Sequence, residues 1–338
     1  MTTETQRVPC ISLRDFEQRR EEIIQELMKA STEIGFFTLS DHGISREEIQ
    51  KAFQTSESFF SLPDDVKART PLNGKNMGWE KNAQVRPSTG TADLKESMQI
   101  QFCRMEGLWP DQGILPDFKP SIQSFMSRVQ DLSVKVMECF AEGLGLEKDT
   151  FTSGTVDPGV GDSQSTLRLL HYHSTEGKSF GNDFWRAGAH ADFDVLTLLF
   201  QRDGQGGLEV CPGREVVDDF GMGNVWTKVE AEEDKIVCNI GDQLMRWSDD
   251  RLKSTFHRVR LPAQGQYQGP RYSIAFFNQA RSDVIIQGPK KKYPPITGSE
   301  FIAQALARNK LSNPETAAKV SKLSTDAVVE ATKKAIMV

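Results

Sequence analysis

Three residues in the second half of the chain, His190, Asp192 and His257, have the types and spacing to hold one metal ion. In an extended segment positions i and i+2 point to the same side, so the imidazole and carboxylate of His190-Ala191-Asp192 can reach a common point. Ser254-Thr255-Phe256-His257-Arg258-Val259 reads as a strand able to bring a third ligand to the same face of a sheet. Two histidines and a carboxylate on one side of a metal suit non-haem Fe(II), with the opposite positions open to a co-substrate and O2. Arg271-Tyr272-Ser273 adds an anion holder. A guanidinium fork pairs bidentately with a carboxylate, and a hydroxyl two residues on can donate from the same side. That pair fits the far carboxylate of 2-oxoglutarate.

A second grouping competes. His171-Tyr172-His173, with Glu176 nearby, is like the His-x-His and Glu of cupin metal sites, although the Glu there usually sits further along the chain. The apolar run Leu169-Leu170-His171-Tyr172 fits a pocket wall better than a ligand set, so His190, Asp192 and His257 are the expected ligands. A lone His in an apolar strand is more often a packed residue than a ligand. The two ordered pieces on β-like segments are far more specific than either alone.

The elements that must position these groups can be read from periodicity. Val8 to Leu13 alternates as a short strand, Asp15 to Ile34 carries apolar residues at helical spacing, and Gly35 to Leu39 is a strand. Ser45-Arg46-Glu47-Glu48 is a capping box opening a helix that stops at Leu62-Pro63. Pro71 to Leu94, rich in Gly, Asn, Pro and Thr, reads as a long loop, either a lid or a connector. Pro120 to Leu146 predicts a long scaffold helix. Short β-rich segments follow at 167–172, 194–201, 208–211, 236–240, 244–247, 254–261 and 272–278. Short strands broken by Gly, Pro and Asp turns predict a sandwich or jelly roll. Thr297-Gly298-Ser299-Glu300 is a second capping box, opening a helix through Ala307 that Asn313-Pro314 breaks before a polar, Ala-rich helix.

These segments and motifs together resemble the isopenicillin N synthase-like 2-oxoglutarate/Fe(II)-dependent dioxygenases, over nearly the whole chain. The likeness rests on Val8 to Leu13, Glu33 to Phe37, Asp41-His42-Gly43-Ile44 and Phe59 to Pro63 at the front. In the core it rests on Arg186 to Asp192, Gly206 to Val210, Asn239-Ile240-Gly241-Asp242 and Arg271 to Ala275. Leu167 to Tyr172 and Arg246-Trp247-Ser248 are similar to fungal, thymine 7-hydroxylase-like members. The resemblance implies an α+β fold, a double-stranded β-helix (jelly roll) core with flanking N-terminal and C-terminal helices, as one structural unit. Its parts would be an N-terminal region at 1–120, a scaffold helix and connector at 121–165, the Fe(II)/2-oxoglutarate core at 166–290 and C-terminal helices at 291–338. It implies His190, Asp192 and His257 as iron ligands, and Arg271, Ser273 and Tyr172 on 2-oxoglutarate. It makes Arg168, Phe193 and Phe277 candidates for substrate contact, with Arg186 a further one near the entrance. Two departures bear on substrate: Phe193-Asp194 stands where many relatives have Tyr-Gly, and His173 where Pro is common.

Composition fits such an enzyme. The 338 residues are 38% hydrophobic and 26% charged, ordinary for a globular protein. A net charge of -6 disfavours a nucleic-acid partner, and Lys290-Lys291-Lys292 is the one tight basic cluster. Five cysteines without a CxxC pair indicate neither a disulfide framework nor a thiolate zinc site. No membrane span, secretory segment or organelle signal is evident, so a cytoplasmic monomer or homodimer acting on a small molecule is expected. The expected reaction is oxidation, most simply hydroxylation, of a small planar aromatic or heterocyclic metabolite, in fungal secondary metabolism, with succinate and CO2 as co-products. Two other readings stay open: an iron-dependent oxidase performing desaturation, cyclisation or ring expansion, and a non-catalytic small-molecule-binding protein on the same scaffold.

Overall fold

The computed structural model describes residues 7–84, 92–101, 104–155, 163–180, 184–215 and 226–311. The N-terminal part runs β1 (Cys10–Ser12), α1 (Arg20–Glu33), β2 (Phe36–Ser40), α2 (Arg46–Phe60), α3 (Asp64–Lys67), β3 (Gly78–Lys81) and β4 (Lys95–Gln101). The scaffold helix α4 (Phe118–Gly143) and the short α5 (Thr152–Thr155) follow. The core contains β5 (Thr166–Tyr172), β6 (Ala187–His190), β7 (Leu196–Gln201), β8 (Leu208–Glu215), β9 (Thr227–Lys228), β10 (Ile236–Ile240), α6 (Asp242–Trp247), β11 (Thr255–Val259) and β12 (Arg271–Asn278). A hairpin of β13 (Ile285–Ile286) and β14 (Ile296–Thr297) leads into α7 (Gly298–Leu311). Both capping boxes form. Ser45 and Glu48 satisfy each other's backbone amides, as do Thr297 and Glu300.

Two sheets face each other. The larger has the order β1-β2-β10-β7-β12-β5-β4-β3, the smaller β6-β11-β8-β9. Side-chain alternation then divides the interior in two. On the outer face of the larger sheet, Leu167, Leu169, Leu198, Phe200, Ile274 and Phe276 pack against Ile23, Phe53, Val129 and Phe140 of the helices. Between the sheets lies a smaller core of Leu170, Tyr172, Val237 and Ala275 against Ala187, Leu208, Val210 and Val259. The jelly-roll interior is therefore a second, separate packing volume, open to polar side chains at its ends.

Two expectations need correction. Leu244 to Trp247 is not a strand but the end of α6. The reason lies at its start, where the backbone amides of Asp242 and Gln243 donate to the carbonyls of Asp192 and Asp194 at 2.8 and 3.0 Å and begin a helical turn. Gly241 allows that approach, since a Cβ there would come within 2.2 Å of the Asp194 carbonyl oxygen. The stretch expected as a loop from Pro71 to Leu94 contains β3, paired with β4. Residues 85–91 of that stretch, and the expected helix beyond Pro314, lie outside the described residues.

Candidate metal and co-substrate site

The antiparallel register of β6 and β11 sets His190 directly opposite His257, with ring centroids 4.3 Å apart. Asp192, in the turn after β6, places Oδ1 3.7 Å from His190 Nε2 and Oδ2 3.7 Å from His257 Nε2. These separations are too long for hydrogen bonds, so three donor atoms surround a common point without saturating one another. Each ring is oriented from behind: Nδ1 of His190 lies 2.8 Å from the Gly188 carbonyl, and Nδ1 of His257 3.4 Å from that of Thr255. A carbonyl on Nδ1 fixes the tautomer that offers Nε2 to a metal. The donor set fits Fe(II) with one face open.

The Asp192 carboxylate is steadied by side chains from the opposite sheet. Thr197 Oγ1 (β7) and Asn239 Nδ2 (β10) lie 2.7 and 2.9 Å from its Oδ2. Behind them is Asp194, whose Oδ2 lies 2.9 Å from the Thr197 hydroxyl. Burial, and next the charge of Asp192, push the Asp194 carboxyl well above the usual carboxylate range.

The anion end is equally built. Arg271, 1% exposed, donates from Nε to the Gln205 carbonyl at 2.8 Å, from Nη1 to Ser273 Oγ at 3.2 Å and from Nη2 to Gln201 Oε1 at 2.9 Å. The Tyr172 ring lies 4.8 Å from its guanidinium carbon. Every one of these partners is neutral. A buried guanidinium without a counter-charge is costly, and Arg271 is held below the usual arginine value by that burial. A carboxylate arriving there would relieve the cost.

Of the substrate candidates, Arg168 and Phe277 come together: the guanidinium carbon lies 4.9 Å from the ring centroid, and Arg168 Nε donates to Gln99 Oε1 at 3.2 Å. Phe193 rests on the larger core and Phe277 on the smaller, and their rings are not paired among the described residues. Arg186 is not at an entrance. It is 2% exposed and donates from Nη2 to the Gly269 carbonyl at 3.0 Å, because the chain bends there into β6 and turns the side chain towards the start of β12.

The competing histidines also gather, with a different carboxylate. His171 and His173 join Glu96 of β4, while Glu176 lies exposed in a turn. Glu96 Oε1 lies 2.8 Å from His171 Nδ1, and Oε2 accepts from Lys67 Nζ at 2.8 Å and Trp79 Nε1 at 2.7 Å.

Residues 8–112 match the family described as non-haem dioxygenase in morphine synthesis N-terminal, and residues 163–280 match the 2OG-Fe(II) oxygenase superfamily. A proline hydroxylase, buaE, of Petromyces alliaceus is 32% identical over 80% of this chain and 85% of its own length. The chain belongs to the 2OG-Fe(II) oxygenase superfamily. The 2-oxoglutarate-dependent dioxygenase frbA of Dothideomycetidae sp. (strain 11243) is 31% identical over 82% of this chain and 87% of that protein. The crystal structure of the full-length thymine 7-hydroxylase of Neurospora crassa in complex with alpha-KG superposes with a TM-score of 0.78, at 28% identity, over 91% of this chain and 98% of that one. The protein is thus a 2-oxoglutarate-dependent dioxygenase using Fe(II), with the jelly-roll core of that superfamily. Among the described residues no helix is long and apolar enough to cross a membrane.

Thr197, Asn239, Gln201 and Gln205 have no role that the sequence alone reveals. Asn239 sits inside the motif Asn239-Ile240-Gly241-Asp242, and that is its only signal. Thr197 is an ordinary polar residue near the start of β7, and Gln201 and Gln205, at the end of β7 and in the loop after it, meet a partner, Arg271, that is remote in sequence.

Proposed function

We propose that this 2-oxoglutarate-dependent dioxygenase hydroxylates a small, planar, oxygenated aromatic or heterocyclic metabolite, in fungal secondary metabolism. His190, Asp192 and His257 hold the iron, and Arg271, Ser273 and Tyr172 receive the distal carboxylate of 2-oxoglutarate. When bound, Fe(II) with 2-oxoglutarate and O2 supplies an oxidant able to take hydrogen from an unactivated carbon, with succinate and CO2 as co-products. The protein's own task is placement. Thr197 and Asn239 hold Asp192 in orientation.

The observation that carries the substrate reading is Arg168 stacked over Phe277 on the inner face of the larger sheet. A ring face with a guanidinium edge fixes both the plane and the rotation of a flat ligand. Phe193, next in sequence to Asp192 and half-buried, provides a second wall in this reading. The Neurospora crassa structure with thymine bound supports a flat ligand, whereas the proline hydroxylase among the relatives is named for an aliphatic one.

A panel of flat heterocycles, aromatic polyketides and free proline, scored for succinate and product together, tests this. Coupled turnover is expected with a planar compound, and Arg168→Ala and Phe193→Ala should each uncouple succinate from product. Coupled turnover of proline by the wild type, or full coupling in both variants, would remove the pocket assignment. For the co-substrate, Arg271→Leu should weaken 2-oxoglutarate binding by several kcal/mol, the typical penalty for losing a desolvated charge partner, and leave Fe(II) binding intact. An unchanged charge-transfer absorption band at low 2-oxoglutarate in that variant would move the anchor elsewhere.

A further inference from the structure

Arg186 is one of the largest fully buried side chains, yet its guanidinium makes a single hydrogen bond among the described residues, from Nη2 to the Gly269 carbonyl. Its Nε is buried with no partner. Gly269 lies two residues before Arg271, whose own three hydrogen bonds also go only to neutral groups. No carboxylate pairs with either arginine among the described residues. An arginine stays protonated even when buried, so among the described residues this end of the barrel holds two desolvated positive charges with no carboxylate paired to either.

The mutual repulsion is felt at Arg186. Burial first, and then the charge of Arg271, lower it to about 10. A fold with no use for an anion there would gain by an apolar side chain in place of one of the two, since isolated buried charges are among the most costly groups a protein can carry. Ala187, the next residue, packs in the core between the sheets together with Tyr172, whose ring lies under Arg271. The Arg186 guanidinium, bonded to the Gly269 carbonyl two residues before Arg271, lies at the start of β12, near enough for the charge of Arg271 to act on it.

We propose that Arg186 is a second receptor for the distal carboxylate of the co-substrate, so that a pair of arginines receives this anion. The inference rests on the reading of Arg271 as its anchor. One carboxylate between two guanidiniums cancels their repulsion and satisfies the idle Nε–H. The site then selects for a charged terminus on the co-substrate and against 2-oxo acids that end in a methyl group.

The test compares two ligands of matched chain length. Anaerobic Fe(II)-loaded protein is titrated by calorimetry with 2-oxoglutarate and with 2-oxopentanoate, which lacks the distal carboxylate, in wild type, Arg186→Met, Arg186→Lys and Arg271→Leu. Arg186→Met should weaken 2-oxoglutarate binding by about ten- to a hundredfold while leaving 2-oxopentanoate and Fe(II) binding unchanged, and Arg186→Lys should recover part of the loss. The metal-free Arg186→Met protein should melt no lower than wild type, because a repulsive buried charge has gone. Equal weakening of both ligands, or a lower melting temperature with the ligand preference intact, would mean that Arg186 only braces the segment at Gly269, and the proposal falls. If Arg271→Leu keeps the wild-type preference, the co-substrate reading fails with it. If Arg271→Leu loses the preference and Arg186→Met keeps it, only the second arginine is wrong.

Discussion

Among the described residues two histidine–carboxylate clusters are built from the same donor types, on opposite sides of the larger sheet. In one, His190, Asp192 and His257 face each other across gaps of 3.7 Å between the sheets. In the other, Glu96 and His171 are closed to 2.8 Å, and Lys67 and Trp79 occupy the second carboxylate oxygen. His171 lies beneath Phe60 of α2 and stacks on Tyr272 at 4.6 Å. The first set has donors converging on a space; the second has already satisfied itself with hydrogen bonds and a buried ammonium. A cation would have to break the His171–Glu96 contact and approach Lys67. Ligand type alone does not make a metal site; convergence without mutual bonding does.

The strongest way to break this comparison is to exchange the histidines. His257→Ala should abolish both Fe(II) binding and turnover while the protein stays folded, whereas His171→Ala should keep its iron; metal content after dialysis reads both. Iron lost from His171→Ala and retained by His257→Ala would invert the two roles.

Glu96→Ala should instead cost stability, at most about 3–5 kcal/mol, because Lys67 loses its buried counter-charge and keeps only the exposed Asp64 carboxylate at 3.1 Å. Thermal melting measures it, with Fe(II) affinity as the control expected to stay level. Burial alone would raise the Glu96 carboxyl, but the hydrogen bonds from His171, Lys67 and Trp79 outweigh it and hold the group below the ordinary value of 4.5. A carboxylate depressed in the folded state stabilises above its unfolded value, and that contribution is lost as pH falls through the folded one. The melting difference between wild type and Glu96→Gln should therefore be full at neutral pH and shrink below pH 4.5. A difference that grows on acidification would show that Glu96 is not the charged partner.

The smallest effect sharpens the first cluster. Asn239→Ala removes one of two donors to Asp192 and should weaken Fe(II) binding by about 10–100-fold, with the melting temperature of metal-free protein nearly unchanged. An unaltered metal affinity would make Thr197 sufficient by itself to orient the ligand.

Particular residues show what could be read in advance. His190 and Asp192 were legible because two residues on one extended segment share a face, a local property that needs no partner. Strand β4 was not: Lys95-Glu96-Ser97-Met98-Gln99-Ile100-Gln101 has a polar composition that argues for an exposed stretch, yet all seven residues are buried. β3 and β5 pair along both its edges, so charged groups are matched inside the protein. The same strand decided the second cluster. Glu176 was the nearby acid in sequence, but Glu96 is the register partner of His171 across seventy-five residues of chain.

By itself the amino-acid sequence determined the helical and β periodicities, the two capping boxes and the presence of two histidines, a carboxylate and an Arg-x-Ser pair in a workable order. These depend on near neighbours, and near neighbours are set by spacing along the chain. Only the tertiary structure decided which carboxylate meets which histidine, that Asn239 and Thr197 steady Asp192, and that Arg186 is buried towards Arg271 rather than exposed at an entrance. Strand alternation says which residues share a face, but the sheet on which that face closes is settled by long-range pairing and burial.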